Sequence, residues 1–501
     1  MSLHAQLSPE AQARLAAQQR NSTITSVIIA LLVVLLIGVV LLLLLLPKVD
    51  NFTPEIVSYQ AGTDETEKVV KRELNRAVER KPSAPSSSMA KVIAANTTST
   101  TAVPVPEIDV PDPSTDFGNG DDFGDGWGSG DGDGGGGGFG NIPATMRERC
   151  SRADRLRRLA KNGGNEKCED AVVGALRWLK KTQNKDGSWC SENKVAMTGF
   201  ALLAYLGHCE TPNSEEFGDA VTRAIVYLTN SSIKNNGKLA DDFKDRHWCY
   251  DHGIATYALA EAATFCIKLD INIPNLNKAV KLSGDWILEH QHDSGSWDYS
   301  YDQSGDRGGD NSIGLWHIQA LKACKHTGLW KEKVFTSPMR TALDYIKKTQ
   351  ASDGGIGYNN ASARPNGVGY TMTGAGMLAF QMWGKGHDSV VKKGARYIKK
   401  NAKFDYNGET ADLYRHYYHA QAMINRGGAD WEFYNNLFRD QLLKNQNEDG
   451  SWKDVGGGNK ILGTAVVFRG GSNKAVHYRT CLATFMLEVY YRFLPATGSG
   501  R

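Results

Sequence analysis

Gln183-Asn-Lys-Asp-Gly-Ser-Trp189 returns, with small changes, as QHDSGSW from Gln291 and QNEDGSW from Gln446. A fourth copy, QASDGGIGY from Gln350, keeps the Gln, Asp and Gly and lacks the Trp. The copies start 108, 59 and 96 residues apart, spacings that fit a unit of about 50 to 55 residues in which two copies have decayed. The decayed copies are expected at SSIKNNGKLADD around Gly237 and NAKFDYNGETAD around Gly408, each a polar turn ahead of a helical pattern. Six units result.

Each unit reads as a helical hairpin. A run with apolar residues three and four apart ends at the Gln, as in 171–181 (AVVGALRWLKK) and 341–349 (TALDYIKKT). Asp-Gly then supplies a tight turn, because Gly accepts the positive φ that other residues resist. A second, more apolar run follows, as at 195–206, 254–265 and 373–382. One such hairpin cannot bury its apolar face, whereas six stacked together can.

A Gln, an acidic residue, a Gly and a Trp recurring between helix pairs resembles the QW repeat of the squalene and terpenoid cyclases and their prenyltransferase relatives. The resemblance covers about residues 165–495 and implies an all-α fold, an (α/α)6 toroid with inner and outer helix rings. It also implies that Gln183, Trp189, Gln291, Trp297, Gln446 and Trp452 brace neighbouring hairpins, which is architecture and not chemistry.

The rest of the chain divides by composition. Residues 1–25 are polar, Ala- and Gln-rich, and read as a cytoplasmic N-terminal segment. Residues 26–47 hold VIIALLVVLLIGVVLLLLLL, twenty residues without a charge, which as a helix would span about 30 Å and are expected to anchor the protein as a single-pass membrane helix. The toroid would then lie on the non-cytoplasmic side. Residues 48–145 read as a Pro-, Ser-, Gly- and Asp-rich disordered linker, with a charged helix expected over 65–80. Its DGDGGGG run lacks the nonapeptide spacing and closing Glu of calcium loops. Residues 146–495 form the helical domain and 496–501 a tail. All eight cysteines follow the linker, without CxxC or zinc spacing. A formal net charge of +3 on 501 residues gives no case for nucleic acid.

In a toroid, polar residues at the N-terminal ends of the inner helices face the cavity. The candidates are Tyr250, Asp251 and His252, then Asp310, Trp316 and His317, then Tyr370, then Arg415, His416 and His419, then His477, Tyr478 and Arg479. The cyclases' DxDD and DCTAE acid motifs are absent, leaving Asp310 in GGDNSIGLW as the candidate acid. The prenyltransferases' zinc ligands are matched only by Asp310, with Ser312 and Arg479 where a Cys and a His would stand, so neither metal nor other cofactor is implied. The expectation is a domain that binds a hydrophobic or isoprenoid-like small molecule or a peptide. The alternative is a divergent enzyme, either a terpenoid transformation with Asp310 as acid or a carbohydrate lyase using the Tyr/His/Arg cluster.

Overall fold

Two kinds of helix alternate along the chain, and burial tells them apart. In the computed structural model, which describes residues 146, 149–362, 370–462 and 466–492, a leading helix α1 (Arg152–Lys161) is followed by twelve more. The amphipathic set is α2 (Glu166–Thr182), α4 (Gly218–Lys234), α6 (Leu276–Glu289), α8 (Lys333–Lys348), α10 (Ser389–Asn401) and α12 (Gly428–Lys444). The set buried nearly all round is α3 (Lys194–Gly207), α5 (Trp248–Lys268), α7 (Asn311–Thr327), α9 (Thr373–Met382), α11 (Leu413–Arg426) and α13 (Asn473–Arg492). The more apolar runs of the sequence are α3, α5 and α9. Each is hydrophobic on every face because neighbours cover every face. Among the described residues the fold is all-α, with two isolated antiparallel bridges, Gln350 to Ile356 and Gln446 to Trp452.

The buried helices pack in succession, α3 on α5, α5 on α7, α7 on α9, α9 on α11 and α11 on α13, and α13 returns to pack on α3. The repeats hold this series together with one recurring device. Gln183 Nε2 donates to the carbonyl of Gly187 at 3.0 Å and to that of Ala220 in α4 at 2.9 Å. Gln291 does the same with Gly295 and Pro338 in α8, and Gln350 with Gly354 and Val390 in α10. Gln446 binds Gly450 and reaches Ala171 in α2. Each fully buried Trp caps the helix before it: Trp189, Trp297 and Trp452 donate through Nε1 to Leu179, Ile287 and Leu442 at 2.8 to 2.9 Å.

The repeat glycine explains why the copies cannot drift freely. Gly187, Gly237, Gly295, Gly354 and Gly450 all have φ between +87° and +104°, and a side chain on any of them would run into a backbone carbonyl of the next amphipathic helix. Gly237 therefore keeps the joint although its Gln and Trp are gone. There Ser232 Oγ donates to the carbonyl of Ala279 and Ser283 Oγ to that of Gly237. The copy at Gly408 has lost the joint. Gln441, on α12, reaches back instead, donating to the Phe404 carbonyl and accepting from Tyr406 N–H.

Cys150 and Cys209 form a disulfide, a pairing the sequence left open, and the other six cysteines are unpaired. The membrane localisation expected from the sequence is corrected: among the described residues no helix is long and apolar enough to cross a membrane. The stretch 26–47 that prompted it lies outside those residues, as do 1–25, the linker 48–145 with its expected helix over 65–80, and the tail 496–501.

Candidate functional site

Asp310 is the N-cap of α7, its carboxylate accepting from Ser312 N at 2.7 Å and Ser312 Oγ at 2.5 Å. The helix start needs an acceptor there, since its first N–H groups have no partner within the helix. The other oxygen pairs with the Arg307 guanidinium, which also holds Asp298. Asp310 is 1% exposed, and both its oxygens are occupied.

Above Asp310 sits an aromatic and cationic rim. Tyr250 hydrogen-bonds Ser312 Oγ through its hydroxyl at 2.7 Å, and its ring lies 6.1 Å from that of Tyr299. The Tyr299 ring carries Arg307 at 4.2 Å and Arg246 at 5.0 Å, with the His247 ring edge-on at 5.0 Å. Tyr250 and Tyr299 are partly exposed and His247 and Arg246 exposed, so this cluster faces solvent. Burial and the nearby Asp310 charge hold the Tyr250 phenol well above its usual pKa, so it remains a neutral donor.

Between the buried helices the middle is filled. Trp316 stacks on Tyr417 at 5.9 Å and meets Phe200 edge-on at 5.5 Å; Phe200 lies 4.8 Å from Tyr478, and Tyr417 lies 5.4 Å from Phe485. None of these five rings is more than 6% exposed. Trp316 and Tyr478, read from the sequence as lining a cavity, sit in this packed group.

Four of the five candidate histidines serve the scaffold, and His419 is buried with neither ring nitrogen hydrogen-bonded. His317 Nδ1 donates to the Ile313 carbonyl and Nε2 accepts from the Tyr301 hydroxyl at 2.6 Å, with the ring stacked on Trp297. His252 Nδ1 accepts from Leu239 N, and its ring too packs on Tyr301. His416 accepts from the Tyr434 hydroxyl at 2.5 Å and donates to the Thr410 carbonyl, so neither nitrogen is free for a metal shared with His419. His477 Nε2 donates to the Met197 carbonyl at 2.8 Å. Burial pushes His317 and His477 down to about 4 and His416 to about 3, and drives His252 and His419 well below the usual range.

The remaining candidates are dispersed. Arg415 reaches Thr371, the Leu462 carbonyl and Asp412. Arg479 is buried against the carbonyls of Trp452, Phe468 and Gly470 and so ties down the loop ahead of α13. The Tyr370 hydroxyl donates to the Ala361 carbonyl. Asp251, in the first turn of α5, is 8% exposed and takes a weak 3.4 Å bond from Asn193. Burial raises its carboxyl to about 7.

Sequence reasoning missed a buried ionic network toward the C-terminal ends of α3, α5 and α13. Arg149, one residue before the disulfide, pairs with Glu261 at 2.6 Å, and Arg492 pairs with Glu261 at 2.9 Å and Glu488 at 3.3 Å. Arg155 and His208 converge on Glu169. Burial works to raise the Glu261 carboxyl, but Arg492 and Arg149 outweigh it and leave it lowered. Glu488 has one oxygen without a partner, and burial raises it to about 8 despite Arg492. Also missed were Tyr299 and Arg307. Their one signal was YSYDQSGDRGG, a long insertion between Trp297 and Asp310 that carries two tyrosines and an arginine.

No protein-family profile and no curated protein matches the chain. Solved structures do show a likeness. A type II terpene cyclase from Scytonema in complex with merosterolic acid A is 11% identical, with a TM-score of 0.42 over 65% of this chain and 97% of that one. The same cyclase with geranylgeranyl dihydroxybenzoate gives 11% and 0.41 over 66% and 99%. A protein from Actinoplanes gives 13% and 0.40 over 65% and 99%. Values this low transfer neither a detailed fold nor an activity.

Proposed function

We propose that the closed series of buried helices is the inner ring of an (α/α)6 toroid of the terpenoid cyclase-like kind, and that this toroid is a binding domain whose relatives' catalysis has been lost. One observation carries the reading: Asp310, the only residue matching a family catalytic position, has both oxygens committed to Arg307 and Ser312. The packed rings around Trp316 agree with it. The ligand site on this reading is the Tyr250 and Tyr299 rim, where cation-stacked aromatics suit a peptide or an isoprenoid-like molecule with a polar end. The test is mass spectrometry of ligands co-purifying with the full-length chain, beside the Tyr299→Ala variant. A peptide or lipid present with the native chain and lost with the variant supports the rim; turnover of an added prenyl substrate overturns the loss of catalysis.

A second reading rests on Asp251. A buried carboxyl raised to about 7 at a helix start can donate a proton near neutrality. On this reading Asp251 and not Asp310 is the acid of an enzyme, and Asp251→Asn abolishes turnover while Asp310→Asn lowers it only as far as it lowers stability.

A further inference from the structure

The amphipathic helices are not alike in charge. α10, SVVKKGARYIKKN, has five cations and no carboxylate in its 13 residues, whereas α2, α4, α6, α8 and α12 each carry at least one acid. Lys392, Arg396, Lys399 and Lys400 line a groove of about 640 Å³ completed by Arg426 and Asp430. Asp430 answers Lys399 and Arg426. Among the described residues no carboxylate pairs with Lys392, Lys393, Arg396 or Lys400. Cations at 392, 396 and 399 follow the i, i+4 and i+7 rhythm of one helix face, a stripe about 10 Å long. On a chain whose formal charge is only +3, this is a local concentration of unanswered positive charge.

The complementary charge lies in the same chain. From Lys91 to Arg147 there is no intervening Lys or Arg, and residues 116–133 (DFGNGDDFGDGWGSGDGD) hold six aspartates. We propose that this acidic stretch is the occupant of the α10 groove, so that the domain carries its own polyanionic cover there. The groove lies within reach. Trp431, next to Asp430, donates to the Asn162 carbonyl at 2.7 Å, so the groove adjoins the C-terminal end of α1, a helix of 10 residues and about 15 Å. The 17 residues from Asp133 to Cys150 extend to about 60 Å, several times that helix's length. Tethering supplies a local concentration that a weak, salt-screened contact needs. Glycine between the aspartates lets successive carboxylates follow the stripe without steric cost.

Zero-length carbodiimide coupling of the full-length chain, read by peptide mass spectrometry, tests the proposal. Amide links are expected between carboxylates of 116–133 and Lys392, Lys393, Lys399 or Lys400, falling about fivefold in roughly 0.5 M salt. They should fall about twofold in Arg396→Gln, where neither the native nor the new side chain can itself be coupled but one of the attracting charges is gone. Mixed light and heavy isotope-labelled chains should give links only within one label. Links between labels would assign the groove to a second copy, and links spread evenly over lysines such as Lys347 and Lys348 would mean no preferred site. Either result, or no link from 116–133 at all, overturns the proposal.

Discussion

Gln446 donates through its side-chain amide to the carbonyl oxygen of Ala171, 2.7 Å away and 275 residues earlier in the chain. The same amide that elsewhere joins one repeat to the next here joins the last to the first. The closing joint is thus chemically equivalent to the internal ones, with Gly450 pressed against Gly174 as Gly187 is against Arg223.

Removing that joint measures the closure. Gln446→Ala leaves the Ala171 and Gly450 carbonyls without their donor and is expected to cost about 2–4 kcal/mol. Trp452→Ala, which also opens a void, should cost about 3–5 kcal/mol. Denaturant titration of both variants beside Gln183→Ala should place Gln446→Ala and Gln183→Ala together. A much smaller loss for Gln446→Ala would mean that the ends are not held.

Gly237→Ala separates a decayed repeat from a lost one. With φ +92° and the Leu282 backbone in contact, the substitution should cost about 2–4 kcal/mol. Gly408→Ala, at the position without the joint, should cost less than about 1 kcal/mol. Thermal melts of the pair give the comparison.

Asp310→Asn preserves an N-cap acceptor but gives up the ion pair with Arg307. Since Arg307 is about a third exposed, the expected loss is modest, about 1–2 kcal/mol. Asp310→Ala, which loses the cap as well, should lose about 2–4 kcal/mol. Equal stability of all three proteins would show that the carboxylate is not structural.

Glu488 gives a pH signature. Its carboxyl ionises near 4.5 in the unfolded chain and at about 8 when folded, so the unfolded state releases its proton first as pH rises. The stabilisation is complete below pH 4.5 and is lost progressively up to about 8. Glu488→Gln should match the native protein at pH 4.5 and exceed it by about 1–3 kcal/mol at pH 8. The buried histidines act at the other end. Their folded values near 3 to 4, against an unfolded 6.5, give stability that is full above pH 6.5 and lost as pH falls through 4.

The hairpin grammar was legible because the Gln, Gly and Trp of each copy do one job in one place, so their spacing survives as a pattern. Of the buried helices, α3, α5 and α9 were legible as well, because their sequences are the more apolar. The rim was legible only at Tyr250, because Arg246 comes from the turn ahead of α5 and Tyr299 and Arg307 from an insertion about 50 residues later that only folding brings beside it. The ionic network was hidden too: Arg149, Glu261 and Arg492 are 112 and 231 residues apart in sequence, and no periodicity links them. His317, His416, His477, Arg415 and Arg479, which stood out in sequence, proved to hold backbone carbonyls, the partners that buried polar groups find when water is excluded.

The disulfide has a consequence for how this domain would be produced. Cys150 precedes the first long helix and Cys209 follows the first buried one, so the bridge fastens the incoming chain beside the Arg149 and Glu261 pair. Expression in a reducing cytoplasm would leave that latch unfastened and a buried glutamate dependent on an untethered partner, at a cost of about 2–4 kcal/mol. Material made in an oxidising compartment and material made in a reducing one should therefore differ in protease resistance first at the residues just ahead of α1.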